Sequence, residues 1–578
     1  MRGIIIVLLL GVMSSLGFGA DSAEAALNLG MWTLLPPIVA ITLAFITKNV
    51  ILSLFIGIYS GSFLLGITQG KNYLFSLLGG FSDITNRVIG SMADSWNAGI
   101  ILQCLTIGGL VALISKMGGA RAVAESLAKR AKTPRSAQLI TWVMGLFIFF
   151  DDYANALIVG PIMRPITDKM RISREKLAFI IDSTAAPIAG IALISTWVGY
   201  EISVIKDGYS LIGMDNINAY SIFVQTIPYR FYNILMLIFV ASTAYFLREF
   251  GPMAKAEMRA RTTGQVTSGS AAKVSPEEAA MIAPKEGVAL NIWNAIIPIM
   301  VLIVGSFVGF YLNGKGYLEG AVLETVNNSP LSFYAIRETF GNADASLVIF
   351  QAALFASIVA IIMGISKKIF KFSEAVDTWV HGMKSLVITG VILLLAWSLT
   401  SLIKELGTSV YLVNALAGSI PKSILPSIIF VLGSVIAFST GTSYGTMGIL
   451  MPLAIPLANA IGGGAGLSGE TLSSYIVMSI GAVLTGAIFG DHCSPISDTT
   501  ILSSMGAECD HIEHVKTQVI YALVVGAITV LFGYLPVGMG ISIYIVLPIS
   551  VLVTILTVRF AGKSVEEVSV VKEEVELA

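Results

Sequence analysis

The sequence predicts an all-α polytopic membrane protein of about eleven transmembrane helices, or twelve if its N-terminal segment is retained, arranged as two inverted repeats. Each repeat is expected to contain a re-entrant hairpin and a broken helix. Three observations carry this reading. First, 55% of the 578 residues are hydrophobic and 12% are charged, whereas a soluble globular protein carries about 25% charged residues. Second, apolar runs of about 18–20 residues, long enough to cross a hydrocarbon core of about 30 Å, recur from end to end. Third, two apolar segments have polar centres and matching flanks on both sides, which a simple span cannot have. An ordinary soluble enzyme is excluded. The formal net charge of −1 gives no footprint for nucleic acid. Cys104, Cys493 and Cys509 fall at no disulfide or metal-ligand spacing.

In chain order, residues 1–25 begin with Arg2, continue through the apolar run Ile4 to Leu10 and close on Ala23, Glu24 and Ala25. This pattern reads as a signal peptide, with a retained extra first helix as the alternative. The first repeat is expected over 31–248. Its spans lie near Thr33–Thr47 and Val50–Ile67, separated by Lys48 in a short cytoplasmic turn, and near Gly99–Ser115. Basic residues Lys116 to Arg135 precede the apolar segment 139–163, and Arg164 to Lys176 follow it. By the positive-inside rule both flanks are cytoplasmic, so this segment is a hairpin with its tip near Asp151–Asn155. A broken helix over 177–200 and a span at Ile234–Leu247 complete the unit.

Residues 249–290, rich in Thr, Gly, Ser, Ala and charge, read as a partly disordered cytoplasmic linker. The second repeat is expected over 291–537. Its spans are near Ile296–Leu312, Leu347–Ile365 and Leu386–Ile403, followed by a hairpin over 424–457 that opens outward, a broken helix over 474–504 and a span at Val519–Leu535. A last helix over 538–560 leads to a cytoplasmic tail, 561–578.

The halves align in sequence. Trp32 and Pro37 match Trp293 and Pro298. Leu113, Ile114, Gly118, Leu127 and Ala128 match Leu402, Ile403, Gly407, Leu416 and Ala417 at constant spacing. Tyr153, Pro161 and Pro165 match Tyr444, Pro452 and Pro456, and the segment from Pro187 matches that from Pro495. An odd number of crossings per half inverts one unit relative to the other, the architecture of secondary transporters.

A carboxylate at membrane depth costs at least about 2.5–3.5 kcal/mol and so needs a role or a partner. Asp151, Asp152 and Asn155 occupy the first hairpin tip, and Asp182 and Thr184 precede Pro187. Thr442, Ser443 and Thr446 occupy the second tip, and Asp491, Ser494, Ser497, Asp498 and Thr499 surround Pro495. Proline removes a donor and glycine permits irregular dihedrals, so these helices break and expose carbonyls. Carbonyl, hydroxyl and carboxylate oxygens suit a hard cation such as Na⁺. A carboxyl removed from water favours its neutral form, so one buried Asp can alternate between cation and proton. His492, beside Asp491, is the pH-sensing candidate. Arg164 reads as a cytoplasmic anchor. Glu508 to His514 reads as a solvated helix start rather than a metal site. No phosphate-binding loop of the GxxxxGK[ST] kind occurs, which disfavours ATP-driven transport.

The segments from Leu34, Phe149 (FFDDYANALIVGPIMRPITD), Phe438 (FSTGTSYGTMGILMPLAIPLA) and Gly490 (GDHCSPISDTTILSSMGAECDHIEHVKTQ) resemble the NhaC-type Na⁺/H⁺ antiporter family of the wider ion-transporter superfamily. The resemblance covers nearly the whole membrane region. It implies two inverted repeats with re-entrant hairpins and broken helices, and a transporter rather than an enzyme. The expected function is exchange of Na⁺ for H⁺ across the cytoplasmic membrane, with the C-terminus inside and no cofactor beyond the transported ions. The alternative is a Na⁺- or H⁺-coupled carrier or exchanger of a small organic acid, malate- or lactate-like, or an amino acid. An intramembrane aspartyl hydrolase would need two Asp side chains sharing one proton at contact distance. The bilayer is the other partner, and the sequence leaves a homodimer open.

Overall fold

The computed structural model describes residues 29–47, 49–268, 284–285, 287–384, 386–408, 411 and 420–565. The expected signal peptide, Lys48 and residues 566–578 of the tail lie outside them. Nine helices among the described residues are long and apolar enough to cross a membrane, or ten if the pair Ala219–Tyr229 and Phe231–Phe246, bent by 47°, is one span. Gly30–Ala44 and Leu425–Thr440 are shorter apolar helices.

The first half contains α1 (Leu35–Thr47), α2 (Val50–Thr68), α3 (Tyr73–Ala93), α4 (Ser95–Lys116), α5 (Gly119–Ala128), α6 (Pro134–Phe147), α7 (Asp152–Lys169), α8 (Arg174–Ser183), the short α9 (Ala186–Ala189), α10 (Val198–Ser210), α11 (Ala219–Thr226) and α12 (Phe231–Phe246). After α13 (Gly251–Thr263) come α14 (Trp293–Lys315), α15 (Gly320–Asn328), α16 (Phe333–Asn342), α17 (Ala345–Ser366), α18 (Phe372–Lys384) and α19 (Val387–Glu405). They are followed by α20 (Leu425–Thr440), α21 (Ser443–Gly464), α22 (Gly469–Cys493), α23 (Asp498–Gly506), α24 (His511–Gly538, with a π-helical turn at Thr529–Tyr534) and α25 (Ile543–Ala561). A two-residue antiparallel ladder, β1 (Arg248–Glu249) with β2 (Lys563–Ser564), ties the end of α12 to the end of α25.

Both tips are built alike. Thr133 and Ser136 form a capping box ahead of Pro134 at the start of α6, the sequence signature of a helix start. The chain leaves α6 after Phe147, and Asp151 caps α7 by accepting the Ala154 amide at 2.7 Å. In the second half Gly441, at φ +66°, ends α20 in the left-handed conformation that glycine tolerates. Thr442 then caps α21 by accepting from Gly445.

Residue pairings give the direction of each arm. Arg135 lies over the Tyr245 ring and Trp142 donates to the Leu237 carbonyl, so α6 is antiparallel to α12. Lys176 meets Thr243 and Phe179 meets Phe239, so α8 is also antiparallel to α12. Asn155 meets Thr184 and Asp168 meets Arg174, so α7 opposes α8. α6 and α7 therefore run in opposite senses, as a hairpin. In the second half Gly486 packs on Phe430 and Gly490 on Ser434, so α20 runs with α22. Ser443 packs on Asp491 and Gly462 on Leu472, so α21 opposes α22. These segments also form a hairpin, and the two are wider than expected, spanning 134–169 and 425–464.

The units interlock. α7 packs along α23 in the same sense, Tyr153 on Asp498 and Gly160 on Gly506. α10 packs along α21, Tyr200 on Tyr444 and Gly208 on Ile455. Since α7 opposes α8 and α21 opposes α22, the broken helices run in opposite directions, and so do the hairpins. Reciprocal packing of α4 on α17 and α18, and of α19 on α2 and α3, repeats this exchange in the outer helices. Helices α3 and α18 fall in stretches the sequence reading left as connections. Their amphipathic pattern is too weakly apolar to register as a span.

The basic loops share one face. The Lys285 amide donates to the Lys116 carbonyl, Asn294 to the Met117 carbonyl, Lys367 to Asn294 and Arg171 to the Arg261 carbonyl. The expected linker is folded at its start: α13 packs on α24, and Glu257, fully buried, accepts from the backbone and hydroxyl of Ser173 at 2.6 and 2.7 Å. Residues 269–283 lie outside the described residues. The solvated reading of Glu508 to His514 is corrected. His514 is buried between Ser504 and Gln518, and His511 reaches the Pro495 carbonyl at 2.7 Å, because α24 starts against the end of α23.

Candidate functional site

The two tips and the two breaks meet around one cavity of about 90 Å³, lined by Asp152, Tyr153, Trp197, Leu386, Ile388, Thr389, Ile392, Thr442, Ser443, Tyr444, Asp491, Asp498 and Thr499. Three of these are carboxylates, and none of the described residues that line it is basic. Ser443 Oγ donates to Asp491 Oδ2 at 2.8 Å, while Asp491 Oδ1 is buried and receives no hydrogen bond from the protein. Tyr153 Oη donates to Asp498 Oδ2 at 2.5 Å. The Tyr444 ring packs against Trp197 and Tyr200 at centroid distances of 4.8 and 4.6 Å, and the Tyr200 hydroxyl donates to the Tyr444 carbonyl.

Local folding explains the convergence. The α8 helix stops at Ser183, two residues before α9, where Pro187 lacks a donor, and the chain stays non-helical over 190–197. The Thr196 amide donates to the Phe150 carbonyl at 3.1 Å, fastening this break to the first tip, and Trp197 and Asp152 line the same cavity. In the second half Ser494 Oγ donates to the Phe438 carbonyl at 2.8 Å, fastening the break at Pro495 to the second tip.

Of the residues expected at the site, Asp152, Thr442, Ser443, Asp491, Asp498 and Thr499 line this cavity. The others do not. Asp151 caps α7 and borders a neighbouring cavity. Asn155 is fully buried, its amide donating to the carbonyls of Gly145 (2.8 Å) and Thr184 (2.7 Å), so it clamps hairpin to break. Thr184 and Thr446 bond back to their own helices, and Ser497 caps α23. Ser494 is the fastener just described. Asp182 accepts from Gln518 (2.5 Å) and Ser503 (3.3 Å), away from the cavity. His492 is buried between Tyr232 (2.7 Å) and Ser183 (3.1 Å), on the side of α22 that faces α12 rather than the tips. Arg164 pairs with Glu508 at 2.6 Å on the basic face. Among the described residues, no three His, Cys, Asp or Glu side chains converge closely enough to hold one metal ion.

Sequence reasoning missed Tyr153, Trp197, Thr389 and Tyr444. The two tyrosines carried a signal, since each stands two residues after a tip cap at the same spacing in both halves. Thr389, a single hydroxyl in an apolar run, carried none.

Known proteins agree with this architecture. A family model described as the Na⁺/H⁺ antiporter family matches residues 1–192 and 188–539. An uncharacterized protein of Haemophilus influenzae is 33% identical over 539 residues, 92% of this chain and 95% of that one. The malate-2H⁺/Na⁺-lactate antiporter of Bacillus subtilis is 29% identical over 180 residues, 31% of this chain and 36% of its own. The solved YdaH transporter of Alcanivorax borkumensis superposes with a TM-score of 0.52 at 14% identity, covering 80% of this chain and 89% of that one, which is a likeness of fold.

Proposed function

The chain belongs to the Na⁺/H⁺ antiporter family, and from that premise we propose that it exchanges Na⁺ for H⁺ across the cytoplasmic membrane, with its basic face in the cytoplasm. The observation that carries the proposal is the central cavity, where Asp152, Asp491 and Asp498 face one space with hydroxyls and no cation of the protein's own. Asp152 and Asp491 are buried, and a buried carboxylate without an internal counter-charge must hold either a proton or an imported cation, while the more exposed Asp498 faces the same space. Competition for one carboxylate is then sufficient for antiport. The reciprocal packing and opposed hairpins support two inverted repeats around this site, in which one bundle moves against the other.

A second reading is favoured by one relative alone. The Bacillus subtilis malate-2H⁺/Na⁺-lactate antiporter would make the chain an exchanger of organic acids with Na⁺ and H⁺. The cavity's lining opposes it, since an organic anion would sit among three carboxylates with no basic partner.

The test is dye-reported ΔpH in proteoliposomes. Na⁺ added alone should collapse the gradient, and choline should not. Collapse only when malate or lactate accompanies Na⁺ would establish the second reading, and no response under either condition would refute both.

A further inference from the structure

Three cavities stand in series along one face of α7. On the basic face, about 700 Å³ is lined by Arg121, Lys129, Leu157, Pro161, Arg164 and Glu508, among others. The next, about 470 Å³, shares Leu157 with the first and reaches Ser115, Asp151, His381, Tyr153 and Asp498. The central cavity shares Tyr153 and Asp498 with the second. Tyr153, Leu157, Pro161 and Arg164 follow one another at three- and four-residue spacing, one stripe of a helix. From Arg164 to Tyr153 that stripe climbs about 16 Å at 1.5 Å per residue. On its inner side, the central cavity is bounded from the second by the Tyr153–Asp498 hydrogen bond. On the α10 side Trp197 and Tyr444 line the cavity, and the Tyr444 ring packs against Trp197 and Tyr200.

We propose that Tyr153 is the gate on the basic-face route and the positioning residue for Asp498. It rests on the reading of the central cavity as the cation site. The phenol hydroxyl donates to Asp498 Oδ2, and both side chains line both spaces, so a cation arriving along α7 and the hydroxyl compete for the Asp498 carboxylate. When the cation takes Asp498, the hydroxyl loses its acceptor and the ring is freed to swing. When the cation leaves, the hydroxyl returns and the route closes. The pseudo-equivalent Tyr444 instead has its ring packed against Trp197 and Tyr200.

The experiment places Thr389→Cys in the central cavity, in a background with Cys104, Cys493 and Cys509 replaced by alanine. Reaction with a membrane-impermeant methanethiosulfonate is timed in vesicles of each orientation. With Tyr153→Ala the reaction from the basic face should accelerate at least about tenfold, the factor that about 1.4 kcal/mol converts to. From the opposite face it should be unchanged. The milder Tyr153→Phe keeps the ring and removes only the competitor. It should lower the KM for Na⁺ without raising kcat, which a loss of structure alone would not do. Unchanged labelling in Tyr153→Ala, equal acceleration from both faces, or an unchanged or raised KM in Tyr153→Phe would overturn the gate. Labelling does not depend on exchange, so one-sided acceleration in a protein that moves no Na⁺ would sink the exchange reading and leave the gate standing.

Discussion

Breaking the buried ion pair between Arg230 and Glu201 should destabilise the protein far more than removing the pair altogether. Both side chains are fully buried. Arg230 donates to both carboxylate oxygens of Glu201 (3.1 and 2.8 Å), to the Gly190 carbonyl (2.7 Å) and to Thr226 (3.0 Å). It thus joins α10, the first break and the bend before α12. Arg230→Met strands a carboxylate where water cannot reach it, at a cost of about 3–5 kcal/mol. The double replacement Arg230→Met/Glu201→Leu removes both charges. Exchange of such a pair for apolar groups is neutral to favourable by up to about 4 kcal/mol. Set against it is the orphaned Gly190 carbonyl, which costs about 1–3 kcal/mol. The double variant should therefore lie within about 3 kcal/mol of the unaltered protein, well below the sum of about 6–10 kcal/mol that two independent losses of about 3–5 kcal/mol would give. Unfolding in detergent–SDS mixed micelles measures all four corners of the cycle. Single variants that cost under about 1 kcal/mol, or a double variant whose cost equals the sum of the singles, would refute the pairing as the source of the stability.

Three other outcomes follow from the site. Asp→Asn at Asp152, Asp491 or Asp498 should abolish Na⁺-driven proton movement while leaving the purified protein monodisperse. At Asp182, which faces Gln518 and Ser503, the same change should leave Na⁺ KM unaltered, and full exchange in all three cavity variants would end the carboxylate mechanism. Cysteine at Lys132 and at Lys169 should be labelled from one face only and from the same one, since the hairpin returns the chain; labelling from opposite faces would make α6 and α7 an ordinary span. Asn155→Ala removes the donor to two buried carbonyls, each worth about 1–3 kcal/mol when orphaned, so about 2–6 kcal/mol of stability should be lost in the same mixed-micelle titration, and a loss under about 1 kcal/mol would mean that Asn155 is no clamp.

The sequence alone determined the all-helical, membrane-spanning class and most of the apolar spans, because those follow from local rules. A run must be apolar to cross lipid. Basic residues stay on one face, and Pro187, Pro495 and Gly441 stand at or beside helix ends, whereas Pro161, Pro165, Pro452 and Pro456 lie inside helices. Tertiary structure alone decided which polar residues share a space. Asp152, Asp491 and Asp498 stood beside Asp182, Asn155 and Ser494 as equals in the sequence, since all are polar groups at membrane depth. Only packing turned the first three into the cavity and bonded the others to Gln518, to the Gly145 and Thr184 carbonyls and to the Phe438 carbonyl. The same holds for Arg230 with Glu201, separated in the chain by 29 positions, and for Tyr153 with Asp498, separated by 345. A side chain's role at membrane depth is set by the partner that satisfies it, and partners this distant are chosen by how helices pack, which no local pattern records.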